Sequence, residues 1–272
     1  MRILAALLAL CPAGLASAHE FWIEPVDYQV ATGDPLAAHI VNGEEFEGTR
    51  FAFFPQRFQR FEVTAGNGTD PLGGRPGDMP AAQLDNAEDG LVALAYVSMP
   101  AKVRYETFDK FLSFAEHKDF AGITALHNSR DLPKQDFVES YTRYARTLIA
   151  VGDGGGEDAP SGLETEIVAL ANPYTAPLDG VLPVRVLYLG DPRPDAQVEL
   201  FEKAPDGAVD ITLHRTDTEG VALLPVRPGH SYLADAVILR EPLEAALAAN
   251  PDAVWETLWA SLTFAVPGTD PS

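Results

Sequence analysis

The sequence predicts a mainly β protein, and three observations support that fold class. A chain of 272 residues can form one large domain or two ordinary ones. Its 22 glycines and 22 prolines favour many turns and short strands over long helices. Short apolar runs alternate with turn signals at a spacing typical of immunoglobulin-like and transthyretin-like sandwiches. We therefore expect two antiparallel β-sandwich domains of this kind, the first carrying an insertion of two or three helices.

Residues 1–18 have the features of a secretory signal peptide. Met1 and Arg2 give a basic start, residues 3–10 are apolar, and residues 16–18 form a small-residue cleavage site. Neither this run nor any later one reaches the roughly 18 apolar residues that a membrane helix needs. Cleavage also removes Cys11, the only cysteine, which excludes disulfides and thiolate metal sites from the mature chain. We expect a periplasmic protein that is not embedded in the membrane and begins at His19.

The charge of the chain excludes one class of partner. Lys and Arg number 19 against 40 Asp and Glu, so the formal net charge is −21. Nucleic acid is excluded, because its binding depends on neutralising phosphates with basic side chains. The 46% hydrophobic content also excludes a wholly disordered acidic chain. The surplus acid can keep the protein in solution or attract cations, and composition does not separate these two interpretations.

The first domain is expected at residues 19–151. Its strand candidates are residues 21–23, 36–41, 51–54, 61–63, 91–97 and 103–105. Glycines and prolines across residues 66–86 predict a long loop. Apolar residues then recur at helical spacing, at Phe108, Phe111, Leu112 and Ala115 and again at Phe137, Val138, Tyr141, Tyr144, Ala145 and Leu148. This spacing predicts a helical insertion at about 108–146, followed by a return to strand at 147–151.

Residues 152–162 form the clearest break in composition, a run of glycines and acidic residues that predicts a linker or exposed loop. A phosphate-binding loop is excluded there, because no Lys-Ser or Lys-Thr pair follows the glycines. A second sandwich is expected at residues 163–267. Its strand candidates are residues 166–170, 182–189, 197–202, 211–215, 221–226, 232–239 and 258–266, with a short helix at 241–250 before the last strand.

Catalytic motifs are missing from the sequence. It contains no G-x-S-x-G nucleophile elbow, and His19-Glu20 is not followed by the second histidine of an H-E-x-x-H zinc helix. Acidic residues are so frequent that some pair will lie close together in any fold, so no carboxylate pair is nominated. We therefore do not predict an enzyme.

Two histidines are candidate metal ligands. After cleavage His19 would offer a free α-amine, with an ordinary pKa of about 7.7 to 8.0, and an imidazole near 6.5. Nickel, cobalt and copper accept such nitrogen ligands. The alternative is that the cleavage site merely happens to precede a histidine. His39 lies on the strand face opposite Leu36, Ala38 and Ile40 and is either a further ligand or a structural residue.

The other histidines and the tryptophans have simpler interpretations. His117 and His127 either converge around a helix break or are solvated, and solvation is the expected outcome. His214 and His230 are expected at the surface. A platform for an aromatic ligand would need exposed tryptophans, but each lies in an apolar run, so we expect Trp22, Trp255 and Trp259 in the core.

Several segments resemble the NikM-like family of exported proteins, which is associated with cobalt or nickel uptake. The segments span nearly the whole mature chain. They are residues 19–25 (HEFWIEP), 43–48 (GEEFEG), 141–146 (YTRYAR), 182–187 (LPVRVL), 216–220 (TDTEG) and 255–264 (WETLWASLTF).

The resemblance implies an immunoglobulin-like fold and a role with a divalent transition metal. His19 matches the family's mature N-terminus and is the ligand that the resemblance implies. Relatives often place a histidine in the strand corresponding to residues 232–239, whereas this chain has Val237 and Ile238 there. If that histidine is a ligand in relatives, the site in this chain is altered, weaker or lost.

Three hypotheses for the function follow. The leading one is a periplasmic protein that binds Ni²⁺, Co²⁺ or Cu²⁺ through His19, with His39 as a third ligand, and assists uptake through a transporter or receptor. The second is a copper enzyme of the histidine-brace type, which needs another imidazole near His19. The third is an exported module that binds a protein or envelope component without metal. No organic cofactor is expected. The position of His19 relative to the other histidines separates the three.

Overall fold

The computed structural model describes residues 20–66 and 68–268. The first half contains β1 (Glu20–Pro25), β2 (Gln29–Val30), β3 (Leu36–Glu44), β4 (Glu47–Phe51), β5 (Phe58–Ala65), β6 (Gly68–Pro71), β7 (Ala82–Leu84), β8 (Gly90–Ser98) and β9 (Ala101–Thr107), with a 3-10 turn at Pro55–Arg57 between β4 and β5. Next come α1 (Phe108–His117), α2 (Ile123–Ser129) and β10 (Gln135–Val151). The second half contains β11 (Thr165–Ala169), β12 (Val181–Tyr188), β13 (Asp191–Pro192), β14 (Gln197–Lys203), β15 (Val209–Arg215), β16 (Val221–Pro225), β17 (Ser231–Arg240), α3 (Glu244–Ala249) and β18 (Ala253–Ala265).

These strands form three sheets within the described residues. The largest has ten strands in the order β15-β14-β17-β18-β10-β8-β5-β6, and β2 and β9 also pair with β10. One small sheet joins β1, β3, β4 and β7, and the other joins β11, β12, β13 and β16. The fold is therefore mainly β with largely antiparallel sheets, as the sequence predicts.

Each small sheet covers one half of the large sheet and closes a separate apolar core. The first core packs Ile23, Leu36 and Ile40 of the small sheet against Leu94 and Ile149 of the large one. The second core has the same construction; it contains Ile167, Val184, Val186, Leu200, Ala234 and Leu262. Both cores share one continuous sheet, because β18 lies beside β10 in parallel and joins the two halves.

The predicted helical insertion at 108–146 is wrong in its second half. Only α1 and α2 are helical, and Phe137 through Leu148 belong to the seventeen-residue strand β10. Residues 137–151 are buried apart from Tyr141, which is half-buried. A strand that is covered on both faces shows no alternation of apolar and polar residues. Apolar residues that match a helical spacing by chance then have no competing strand pattern.

Smaller differences also separate the sequence-based expectation from the structure. The stretch at 66–86 is not one loop, because β6 and β7 lie within it, and the strand expected at 51–54 ends at Phe51. The tryptophans Trp22, Trp255 and Trp259 are buried core residues, as expected.

Candidate functional site

The structure describes one of the two predicted metal ligands. His19 lies outside the described residues. His39 is half-buried on β3, directly opposite Glu24 of β1, and its Nδ1 atom has no hydrogen-bond partner among the described residues. Burial and the nearby Arg50 guanidinium lower the pKa of His39.

His39 lies away from Glu20, the residue that directly follows His19. In the β1–β3 pairing Glu20 faces Gly43 and Glu24 faces His39. Four strand residues separate the two positions, which corresponds to about 13 Å. The neighbour of His39 is instead the ion pair between Arg50 and Glu24, at 3.1 Å.

A cluster of buried acids, which we call the carboxylate cluster, lies directly after position 19. It consists of Glu20, Glu199 and Asp235, which carry carboxylate oxygens within 4.8 Å of one another. Glu199 of β14 and Asp235 of β17 are partners in the large sheet. Strand β1 packs along β18 of this sheet, where Ser261 and Thr263 donate hydrogen bonds to the carbonyls of Phe21 and Ile23, and this places Glu20 beside the two acids. The hydrogen bond from the Ser261 hydroxyl is 2.7 Å long.

Lys118, at the end of α1, partly neutralises the carboxylate cluster. Its ammonium is 2.5 Å from Glu199 Oε2 and 2.9 Å from Asp235 Oδ2, but 3.5 Å from Glu20 Oε1. Burial by itself lowers the pKa of Lys118, but the carboxylates outweigh burial and raise it. Burial raises the pKa of Glu20 to about 7 and also raises that of Asp235. When all three acids are ionised they outnumber the Lys118 ammonium, and in that state the site favours additional positive charge.

His117 contacts the carboxylate cluster. Its Nε2 lies 3.3 Å from Glu199 Oε1, and 56% of its side chain is exposed, so solvent reaches it.

His127 lies away from His117, and the expectation that it is solvated is wrong. It is fully buried, accepts a hydrogen bond from Trp255 Nε1 at its Nδ1, and therefore donates from Nε2 to the Pro133 carbonyl at 3.1 Å. His127 is a neutral core residue.

A second layer of polar residues lies on β10 beside the carboxylate cluster. Arg143 is buried and its guanidinium stacks 3.9 Å from the ring centre of Trp259. Glu139, on the same face of β10, accepts hydrogen bonds from Tyr105 and Thr257. Burial raises the pKa of Glu139 to about 7, although both hydrogen bonds lower it.

Sequence reasoning missed the carboxylate cluster, yet one signal for it was present. Asp235 interrupts an apolar run between Leu233 and Val237 and is the only acid on that part of β17. Such an acid must be buried together with its neighbours and requires a partner. No comparable signal in the sequence marks Lys118. It follows the short helix α1 and lies far along the chain from the three acids.

The chain is similar to a family of proteins for which no activity is known. The family described as "Domain of unknown function (DUF4198)" matches residues 16–240. No curated protein matches the chain. The described helices do not combine the length and apolar character needed to cross a membrane.

Two solved structures are similar at 11% identity. One is described as "tetra-tandem repeat in extending region of large adhesion protein"; the match covers 91% of this chain and 49% of that one, with a TM-score of 0.19. The chain thus spans about half of that structure. The other is described as "D0-D1 domain of Intimin"; the match covers 89% of this chain and 97% of that one, with a TM-score of 0.21. At these scores neither likeness supports a function.

Proposed function

We propose that this chain, which belongs to the DUF4198 family of unknown function, is a periplasmic protein that binds a divalent transition metal ion, Ni²⁺, Co²⁺ or Cu²⁺. The ligands are the α-amine and imidazole of mature His19 together with the carboxylate of Glu20. The observation that supports this proposal is the convergence of three buried acids at Glu20, the residue bonded to His19.

The donor set suits these metals. An amine, an imidazole and a carboxylate form a mixed nitrogen and oxygen set, which borderline divalent ions such as nickel, cobalt and copper accept. Glu20 is the member of the carboxylate cluster that Lys118 approaches least closely, so it is the carboxylate most available to an added cation. Glu199 and Asp235 contribute negative charge that favours the ion.

The sequence adds two supporting features. The segment from His19 to Pro25 resembles the opening of NikM-like proteins, which are associated with nickel or cobalt uptake. The net charge of −21 attracts cations to the surface. On this proposal the protein hands its metal to an uptake transporter or receptor. His39 is not included, because the fold holds it four strand residues away from Glu20.

The test compares mature protein that begins at His19 with protein that carries one extra residue ahead of it. The extra residue removes the free α-amine from His19 but leaves every side chain in place. Isothermal titration with NiCl₂ and CuCl₂ should show at least tenfold weaker binding by the extended protein, which is about 1.4 kcal/mol. Equal binding by the two proteins would overturn the proposal.

Two substitutions support this titration. Glu20→Gln keeps the shape of the side chain and removes its charge, so we expect at least tenfold weaker binding of nickel. His214→Ala is the matched control, because His214 lies on β15 and its Nε2 contacts only Thr212 among the described hydrogen bonds. Binding that is lost equally in both variants would contradict a site at Glu20.

His117 provides the specific observation for a second candidate function, a histidine-brace copper enzyme. Among the described residues it is the histidine that contacts the carboxylate cluster, and a brace needs a second imidazole near His19. On this hypothesis copper-loaded protein turns over peroxide, and His117→Ala abolishes the turnover. Copper that cannot be reduced would eliminate this candidate.

A further inference from the structure

A cavity of about 360 Å³ lies between the small sheet of the first half and the large sheet. Phe21, Phe51 and Phe58 line it together with Tyr96. The Tyr96 ring contacts two of these rings, with its centre 5.2 Å from that of Phe21 and 5.6 Å from that of Phe58. The volume is at the small end of the 300–1,000 Å³ that is typical of small-molecule sites, and walls of this kind favour a flat apolar body.

The charge of the cavity is opposite to that of the protein. Arg57 and Arg143 line it, and among the described residues no aspartate or glutamate does. Acids outnumber bases 40 to 19 in this chain, so its composition does not favour a cavity whose charged lining residues are both arginines. Arg57 is exposed and stands at the rim, where its guanidinium lies 5.4 Å from the ring centre of Phe54.

Arg143 is the buried charge of the cavity, and two of its three side-chain nitrogens have no hydrogen-bond partner among the described residues. The residue is 8% exposed, and the two nitrogens are Nε and Nη1. Its contacts are with ring faces, at 3.9 Å from the centre of Trp259 and 5.1 Å from that of Tyr141. The acids nearby do not satisfy it, since Lys118 takes the ion pairs of Glu199 and Asp235.

Leaving buried guanidinium N–H groups without partners costs free energy, so their retention calls for a physical reason. A guanidinium matches a carboxylate in geometry and charge, and the two pair most strongly where water is excluded. We propose that this cavity binds a small organic acid, with its carboxylate on Arg143 and its aromatic or apolar body against Phe21, Phe58 and Tyr96. This site is separate from the proposed metal site and does not depend on it.

The experiment uses three probes on metal-free protein in the presence of a chelator, so that its outcome is independent of metal binding. 3-Phenylpropionate carries both an aromatic body and a carboxylate, 3-phenylpropanamide lacks the charge, and acetate lacks the body. Calorimetry, together with the fluorescence of Trp259 and its neighbours, should show the propionate binding at least tenfold more tightly than either of the others. Equal affinity for the amide, or for acetate, would overturn the proposal.

Variants then test the role of Arg143. Arg143→Met should weaken binding of 3-phenylpropionate at least tenfold and leave the amide unchanged, whereas Arg215→Met, at an exposed arginine on β15, should change neither. Unchanged propionate binding in Arg143→Met contradicts the proposal. Ala52→Trp fills the cavity from a half-buried position and gives an independent test that retains Arg143. Binding of the propionate that persists in this variant also contradicts the proposal.

Discussion

Two buried arginines on β10 differ in a way that separates structure from candidate function. Arg146 uses all five of its N–H groups, on the side chains of Asp158 and Ser161 and on the carbonyls of Ala159 and Ile167. Arg143 lies three residues earlier and leaves Nε and Nη1 without hydrogen-bond partners among the described residues. Being an odd number of residues apart, they project from opposite faces of the strand. Arg146 therefore stabilises the fold on one face of β10, whereas Arg143 leaves two nitrogens without partners in the described part of the chain on the other face.

Arg146 also anchors the glycine-rich segment at 152–162. The segment contains no helix or strand, which agrees with its composition. It is nevertheless bound to the sheet, because the side chain of Asp158 is only 1% exposed and pairs with Arg146 at 2.6 Å. Asp158 also accepts a hydrogen bond from the backbone N–H of Ala169. The segment ties the two halves together.

The largest expected effect belongs to Arg146. Arg146→Met should lower the free energy of unfolding by about 3 to 5 kcal/mol, because it leaves the buried Asp158 carboxylate without its partner. Urea denaturation followed by circular dichroism measures the loss. Arg215→Met is the control at an exposed ion pair and should cost less than about 1 kcal/mol. A loss for Arg146→Met as small as that of the control would show that Arg146 does not stabilise the fold.

Glu139 gives the next effect, on the same face of β10 as Arg143. Burial raises its pKa from 4.5 to about 7 against the hydrogen bonds of Tyr105 and Thr257 and the charge of Arg143. Between pH 4.5 and 7 the unfolded chain releases this proton and the folded protein keeps it. The free energy of unfolding should therefore fall as pH rises through this window, by at most about 3 kcal/mol, and stay constant above it.

The difference between wild type and Glu139→Gln isolates this contribution. Urea midpoints measured from pH 4.5 to 8 should show the fall in wild type, and the variant should lack the part that is due to Glu139. Glu241→Gln, at an exposed glutamate, should keep the wild-type profile. Identical profiles for wild type and Glu139→Gln would show that Glu139 ionises normally in the folded protein.

The smallest expected effect on stability belongs to Arg143. Arg143→Met removes a buried charge that makes no ion pair with the described residues, and methionine can occupy the space beside Trp259. The cost of losing the ring contacts and the gain from removing an unsatisfied charge oppose each other. We expect a change of less than about 1 kcal/mol in the same urea experiment, while binding of 3-phenylpropionate is lost. A loss equal to that of Arg146→Met would mean that both arginines are structural.

The sequence predicted most of the fold because most strands have one covered face or end at clear turn signals. The strand expected at 36–41 lies within β3, with His39 on the face opposite Leu36 and Ile40, and the helix expected at 241–250 contains α3. The helix predicted over the residues of β10 was wrong because both faces of this strand are buried. The carboxylate cluster could not be found from spacing, since Glu199 and Asp235 come together through sheet pairing and Glu20 joins them through the packing of β1 on β18.

The parallel pairing of β10 with β18 also has a consequence for the order of folding. β18 is formed by residues 253–265, yet it occupies the middle of the ten-stranded sheet, between β10 and β17. Until these residues have left the ribosome, the edges of β10 and β17 that pair with β18 are open and the sheet cannot be completed. Contacts between such distant segments form slowly. Completion of the ten-stranded sheet therefore waits until residues 253–265 are available to pair with both neighbours.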